Sequence, residues 1–147
     1  MGTLLDTTVF IEFERAVRAL PADHAMTEVT ARLTRQLGAA EPTGIAAITA
    51  SELLHGVHRA TAQHRPRREA FVEAVLAAFP PLPFDLIAAR AQARLWAHLA
   101  ASGLDVGAHD RIVAATAITA GWRVATANVR HFDRIPGLET VPVSLAN

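Results

Sequence analysis

The sequence predicts an α/β fold with a mostly parallel central sheet, and three observations carry that expectation. Short apolar runs of strand length recur, at residues 3–5, 45–48, 123–126 and 140–143. Between them lie longer stretches with apolar residues at helical spacing, such as Met26, Val29, Leu33 and Leu37. Proline and glycine stand at the joints, as in Pro42-Thr43-Gly44 and Ser102-Gly103. Strands that alternate with helices are joined by crossovers, which makes neighbouring strands parallel.

Each element has a local reason. Residues 3–5 form a buried strand that ends at Asp6; Thr7 or Thr8 then caps the helix that Val9, Phe10 and Phe13 continue up to Leu20, before Pro21. A second helix covers residues 25–37, and Gly38 is its stop. Residues 45–48 make the second strand, and Thr49 caps a helix whose Leu53, Leu54 and Val57 face inward. Arg65-Pro66-Arg67-Arg68 opens the next helix with proline in its first turn. The proline-rich stretch 80–84 is a hard break holding a short extended segment. Asp85 caps a helix over 86–101 with Ala89, Ala93, Trp96 and Ala100 as its core face; Trp96 and Trp122 both read as core. His109-Asp110 begins a helix ending near Gly121, residues 123–126 are the third clear strand, and 128–133 is loop or short helix. An edge strand at 140–143 closes the chain. With 147 residues, no internal repeat and no linker, the expectation is a single domain over 1–147.

Composition excludes several chemistries. There is no cysteine, hence no disulfide, thiolate nucleophile or cysteine-based zinc site. All 14 basic residues are arginine; without lysine there is no Walker A loop and no Schiff base. Formal charge balances at zero, so global charge neither favours nor forbids a nucleic-acid partner. Arg15 and Arg18 follow the first apolar run, unlike a signal peptide, and no apolar run is long enough to span a bilayer. The expected setting is cytoplasmic, with no membrane partner.

The carboxylates fall in a pattern. Asp6 ends the first strand, Glu52 lies one turn into the helix after the second, and Asp110 opens the helix leading into the third. Asn128 follows the third strand, with Asp133 five residues later. In a parallel sheet these positions share one edge, where open α/β folds bind ligands. Two carboxylates about 4 Å apart repel by roughly 4 kcal/mol at an effective dielectric near 20. A hard divalent cation removes that penalty, and Mg²⁺ or Mn²⁺ suits oxygen ligands. Such ions serve phosphodiester hydrolysis.

The blocks Leu5-Asp6-Thr7-Thr8-Val9-Phe10-Ile11, Ser51-Glu52-Leu53-Leu54-His55-Gly56 and Asp110-Arg111-Ile112-Val113-Ala114-Ala115-Thr116-Ala117 resemble the signature blocks of PIN domains. With Ala125-Thr126-Ala127-Asn128-Val129-Arg130-His131-Phe132 they look most like the VapC-type toxins of VapBC toxin–antitoxin systems, and the similarity covers nearly the whole chain. The resemblance implies a PIN-like α/β/α sandwich and a Mg²⁺- or Mn²⁺-dependent endoribonuclease toxin acting on tRNA, rRNA or mRNA. It also implies a homodimer and inhibition by a cognate VapB-type antitoxin. The family's first three acids match Asp6, Glu52 and Asp110, and its small polar residue after the first acid matches Thr7 or Thr8. Its usual fourth aspartate falls on Asn128; Asp133 is the other candidate for that position. A site with three formal charges should hold a second metal weakly.

Around these acids, Arg111, Arg130, His131 and Arg134 are the candidate RNA contacts, and Arg59, His64, Arg65, Arg67 and Arg68 form a second basic stretch. His55 and His109 flank the acids, but a metal-activated water is the better nucleophile. The first two helices carry more apolar surface than a small sheet needs, which suggests a groove for an amphipathic antitoxin helix. The alternative to the nuclease is a catalytically weak PIN-like module that binds RNA or protein, with Asn128 as its one support. An aspartyl-phosphate enzyme would use Asp6, but it also needs a lysine.

Overall fold

A computed structural model describes residues 1–145, apart from the side chains of Ala22 and Asp23. Strands β1 (Thr3–Leu5), β2 (Thr43–Ala46), β3 (Pro81–Leu82), β4 (Arg123–Thr126) and β5 (Thr140–Pro142) form one sheet in the order β3-β2-β1-β4-β5. Every pairing is parallel. Helices α1 (Thr7–Arg18), α2 (Ala22–Leu37), α3 (Ala47–Arg59), α4 (Arg65–Ala78), α5 (Leu86–Ala101) and α6 (Ala108–Ala120) supply the crossovers. A single 3₁₀ turn at Val129–His131 follows β4.

Alternation along the strands builds two cores. Leu5, Ile45 and Ala125 point to one face, where they meet Val9, Phe10 and Phe13 of α1, Val29 and Leu33 of α2 and Val75 of α4. Phe10, Phe13 and Phe79 form an aromatic trio there, with ring centroids 5.7–6.0 Å apart. Leu4, Ala46 and Val124 point to the other face, against Leu95 and Leu99 of α5 and Val113, Ala114 and Ala117 of α6. Helices thus cover both faces, as an all-parallel sheet requires.

The strand order reverses between β1 and β4. β1, β2 and β3 step outward in one direction, and the chain then returns to place β4 on β1's free side. In open α/β sheets such a reversal is where ligands bind, here at the carboxyl ends of β1 and β4. The opposite edge is tied shut: Arg123 donates from Nε to Thr3 Oγ1 at 2.9 Å and from Nη2 to the Leu37 carbonyl at 3.0 Å.

Three local expectations are corrected. β2 runs straight into α3 at Ala47, so Thr49 is not its cap; it lies inside the helix, fully buried, with its hydroxyl unpartnered among the described residues. Thr7 and Thr8 are the first residues of α1, and Asp6 itself is the N-cap. On α5 the core face is Ala88, Leu95 and Leu99, one position away from the expected stripe, and Trp96 is 55% exposed. In an alanine-rich helix two adjacent stripes have the same apolar spacing, so periodicity alone does not choose between them.

Candidate active site

Asp6 stands where β1 turns into α1. As N-cap its Oδ1 accepts the backbone N–H of Thr8 at 3.1 Å and the Thr8 hydroxyl at 2.6 Å. Its Oδ2 accepts the Thr126 hydroxyl at 2.8 Å. The β1–β4 register, with Leu5 opposite Ala125, sets Thr126 beside Asp6. Asp6 is 3% exposed. Burial raises its pKa, and the bonds from Thr8 and Thr126 only partly oppose that shift.

Glu52 lies in the second turn of α3. Its Oε1 accepts the Thr7 hydroxyl at 3.0 Å, and its Oε2 is 3.4 Å from Nδ1 of His109. Asp110 occupies the first turn of α6, whose amino end is the positive end of the helix dipole. Its Oδ2 is 3.6 Å from Nδ1 of His131. Burial raises the Asp110 pKa; His131 lowers it, and the charges of Asp6 and Glu52 raise it. Asp110 therefore feels the charges of both other acids.

Among the described residues no arginine forms an ion pair with any of the three. Nor, among those residues, are three His, Asp or Glu side chains gathered closely enough to enclose a metal ion as they stand. Glu52 leans to Thr7 and His109, and Asp110 leans to His131. The donor set is nevertheless all hard oxygen, and two of its members are disfavoured as anions by burial. A divalent cation relieves that penalty, so the residues fit Mg²⁺ or Mn²⁺.

The remaining expected residues separate. The Asn128 backbone N–H donates to Thr126 Oγ1 at 3.0 Å, and its side-chain amide is 2.9 Å from Nε2 of His131. Asp133 is exposed, and its carboxylate has no hydrogen bond or ion pair among the described residues. Arg130 and Arg134 are exposed in the segment that follows β4. Arg111 is committed elsewhere: its guanidinium lies 4.6 Å over the Trp96 ring and donates to the Val106 carbonyl. His55 is exposed on α3. Sequence reasoning missed Thr126 as a supporting donor, because only the pairing of β4 with β1 brings it to Asp6.

The apolar residues expected to form a groove divide as well. Val9, Phe10, Phe13, Val29 and Leu33 are core. Val17, Leu20 and Met26, with Phe71 of α4, floor a groove of about 770 Å³ rimmed by Arg18, Arg59, Arg67 and Arg68. Glu14, its acid, is paired with Arg18 at 3.0 Å and Arg68 at 2.9 Å.

These features define an open α/β protein with an acidic crevice at the switch point of its sheet. Residues 3–138 match the PIN domain model, and the chain belongs to the PIN-domain family, in its VapC-type branch. It is 35% identical to ribonuclease VapC1 of Rickettsia felis, with 98% of each chain covered. It is 36% identical over 94 residues to the tRNA(fMet)-specific endonuclease VapC of Salmonella typhimurium, covering 64% of this chain and 70% of that one. The fold superposes on DNA-bound VapBC of Salmonella typhimurium with a TM-score of 0.78 and 29% identity, over 97% of this chain and 98% of the other.

Proposed function

We propose that this protein is a Mg²⁺- or Mn²⁺-dependent endoribonuclease toxin, restrained by a cognate VapB-type antitoxin. The observation that carries the reading is the crevice at the end of β1. There a buried Asp6 shares its field with Glu52 and Asp110, and no arginine among the described residues neutralises them. Family membership and the ribonuclease names of its relatives support the substrate class. One of those relatives is named for tRNA(fMet), which makes initiator tRNA the first substrate to test.

Asp6, Glu52 and Asp110 would hold the cation, with Asn128 or Asp133 at the fourth position. When bound, the ion supplies charge stabilisation at the scissile phosphate and acidifies a water. The chain's own groups do the rest. Thr8 and Thr126 fix both oxygens of Asp6, and Thr7 holds Glu52, so two carboxylates are oriented before substrate arrives. The amino ends of α1 and α6 open at the same edge and favour the phosphate backbone. Arg130 and Arg134, exposed in the segment after β4, would contact that backbone.

The apolar groove with its arginine rim suits an amphipathic helix bearing acidic flanks, and we place the antitoxin there. The exposed Leu86, Ile87 and Trp96 of α5 leave apolar surface for the homodimer that the family resemblance implies. No described helix is long and apolar enough to cross a membrane.

The test is cleavage of tRNA by purified protein with and without Mn²⁺. Asp6→Asn and Asp110→Asn should each lose at least 100-fold in rate while keeping the folded far-UV signal, as expected when a preorganised charged group is removed from a site. Wild-type rates in either variant would refute the reading.

A further inference from the structure

Asn128 is expected at the fourth position of the site, and the structure shows what its side chain and backbone touch. A continuous chain of contacts crosses the crevice there. Thr126 Oγ1 donates to Asp6 Oδ2 at 2.8 Å and accepts the Asn128 backbone N–H at 3.0 Å. The Asn128 side-chain nitrogen lies 2.9 Å from Nε2 of His131. An amide nitrogen can only donate, so Nε2 is the acceptor in this contact and Nδ1 is the ring's N–H. That nitrogen faces Asp110 Oδ2 at 3.6 Å, beyond a hydrogen bond but well within electrostatic reach. The 3₁₀ turn makes this possible, because it sets residues 128 and 131 on the same side of the loop.

We propose that His131, anchored at its far nitrogen by Asn128, is a positioning residue that sets the Asp110 carboxylate relative to Asp6. The fourth position then acts by orientation and contributes no acid. Both ring nitrogens face protein groups. His109 faces Glu52 in a similar way at 3.4 Å, yet no partner for its other nitrogen stands among the described hydrogen bonds. The loop from Thr126 to His131, by contrast, ties the first acid to the third.

The inference rests on the metal-nuclease reading, and its test separates the two. Mn²⁺ binding to the whole protein is followed by electron paramagnetic resonance of the free ion, and RNA cleavage is measured alongside. His131→Phe should weaken Mn²⁺ binding about tenfold, the low end for loss of a supporting contact to a ligand. Asn128→Ala should do the same, and the double variant should be no worse than either single one. His131→Asn keeps an N–H at the position of Nδ1 but loses the nitrogen that Asn128 anchors, so it should recover part of the loss seen in His131→Phe and be insensitive to Asn128→Ala, whereas His131→Gln, which places its N–H one atom further out, should resemble His131→Phe. Unchanged Mn²⁺ affinity in His131→Phe overturns the proposal, and so does equal rescue by Gln and Asn. A raised KM for RNA with unchanged Mn²⁺ affinity would return His131 to substrate contact. If wild-type protein itself neither binds Mn²⁺ nor cleaves, the nuclease reading fails and this inference falls with it. If Asp6→Asn abolishes binding while His131→Phe does not, only the inference fails.

Discussion

Asp6 is asked to cap a helix and to stay charged in a buried crevice, and these demands set its energetics. As a cap it accepts from the Thr8 N–H, a contact typically worth about 1 kcal/mol to a helix. As a buried anion it is penalised, and the upward pKa shift shows that burial outweighs its hydrogen bonds. The sign of the pH effect follows. A raised pKa means that the folded state binds a proton more readily than the unfolded chain does. The penalty is therefore fully present above the folded pKa and is relieved as pH falls through it towards 3.8. Asp110 is shifted in the same direction and adds to the trend. Asparagine is an equally good N-cap and carries no charge. Asp6→Asn should therefore raise the metal-free melting temperature at neutral pH by a few degrees, each ~1 kcal/mol being worth about 2–4 °C in a chain of this size. Its melting temperature should also rise less than wild type's on acidification, and Mn²⁺ should stabilise wild type but not the variant. A lower melting temperature for Asp6→Asn across the pH range would mean that the lost charge-assisted bonds dominate.

At the scale of elements, the site is a product of strand register. β1 and β4 are 120 residues apart in sequence at Asp6 and Thr126, yet parallel pairing makes them neighbours. Thr126 is fully buried, and its hydroxyl serves Asp6 and the loop to Asn128 at once. Thr126→Val keeps the shape and the β-branch while removing that hydroxyl. One carboxylate oxygen and one backbone N–H then lose their partner, at a cost of about 1–3 kcal/mol for each buried group. Chemical denaturation should show this as a lower midpoint with an unchanged slope, and Mn²⁺ binding should weaken in parallel. Unchanged stability would mean that the Thr8 hydroxyl and backbone N–H, which hold Oδ1, already suffice to satisfy the carboxylate. The case also shows what was legible in the chain and what was not. Strand runs, capping residues and breaks are local, and β4, Asp85 and the α6 stop at Gly121 could be read from neighbours alone. The positions of Asp6, Glu52 and Asp110 were legible because helices of a parallel sheet begin at one edge. Thr126, the exposed face of α5 and the turn of His131 towards Asp110 depend on register and on rotation about helix axes. Neither leaves a local signal when alanine occupies both candidate stripes.

At the scale of the whole molecule, net charge is zero, with 14 arginines balancing 14 acids, so the protein as a whole does not attract RNA. Attraction must come from how the arginines are distributed. Arg18 and Arg68 are held by Glu14, Arg32 by Glu28, Arg111 by Trp96 and the Val106 carbonyl, and Arg123 by the closed sheet edge. Arg130 and Arg134, in the segment after β4, are exposed and have no acidic partner among the described residues. Each arginine–phosphate contact releases about 0.7 of a counterion from single-stranded RNA, so two contacts contribute about 1.4 to the slope of log K against log salt. Measured on an Asp6→Asn background, where RNA stays intact, Arg130→Gln with Arg134→Gln should lower that slope by about this amount. Affinity should fall nearly uniformly across RNA sequences, because phosphate contacts position without reading bases. The groove arginines make the comparison sharp. If Arg59→Gln with Arg67→Gln lowers the slope and the first pair does not, the RNA path runs over the groove, and antitoxin and substrate then compete for the same arginines.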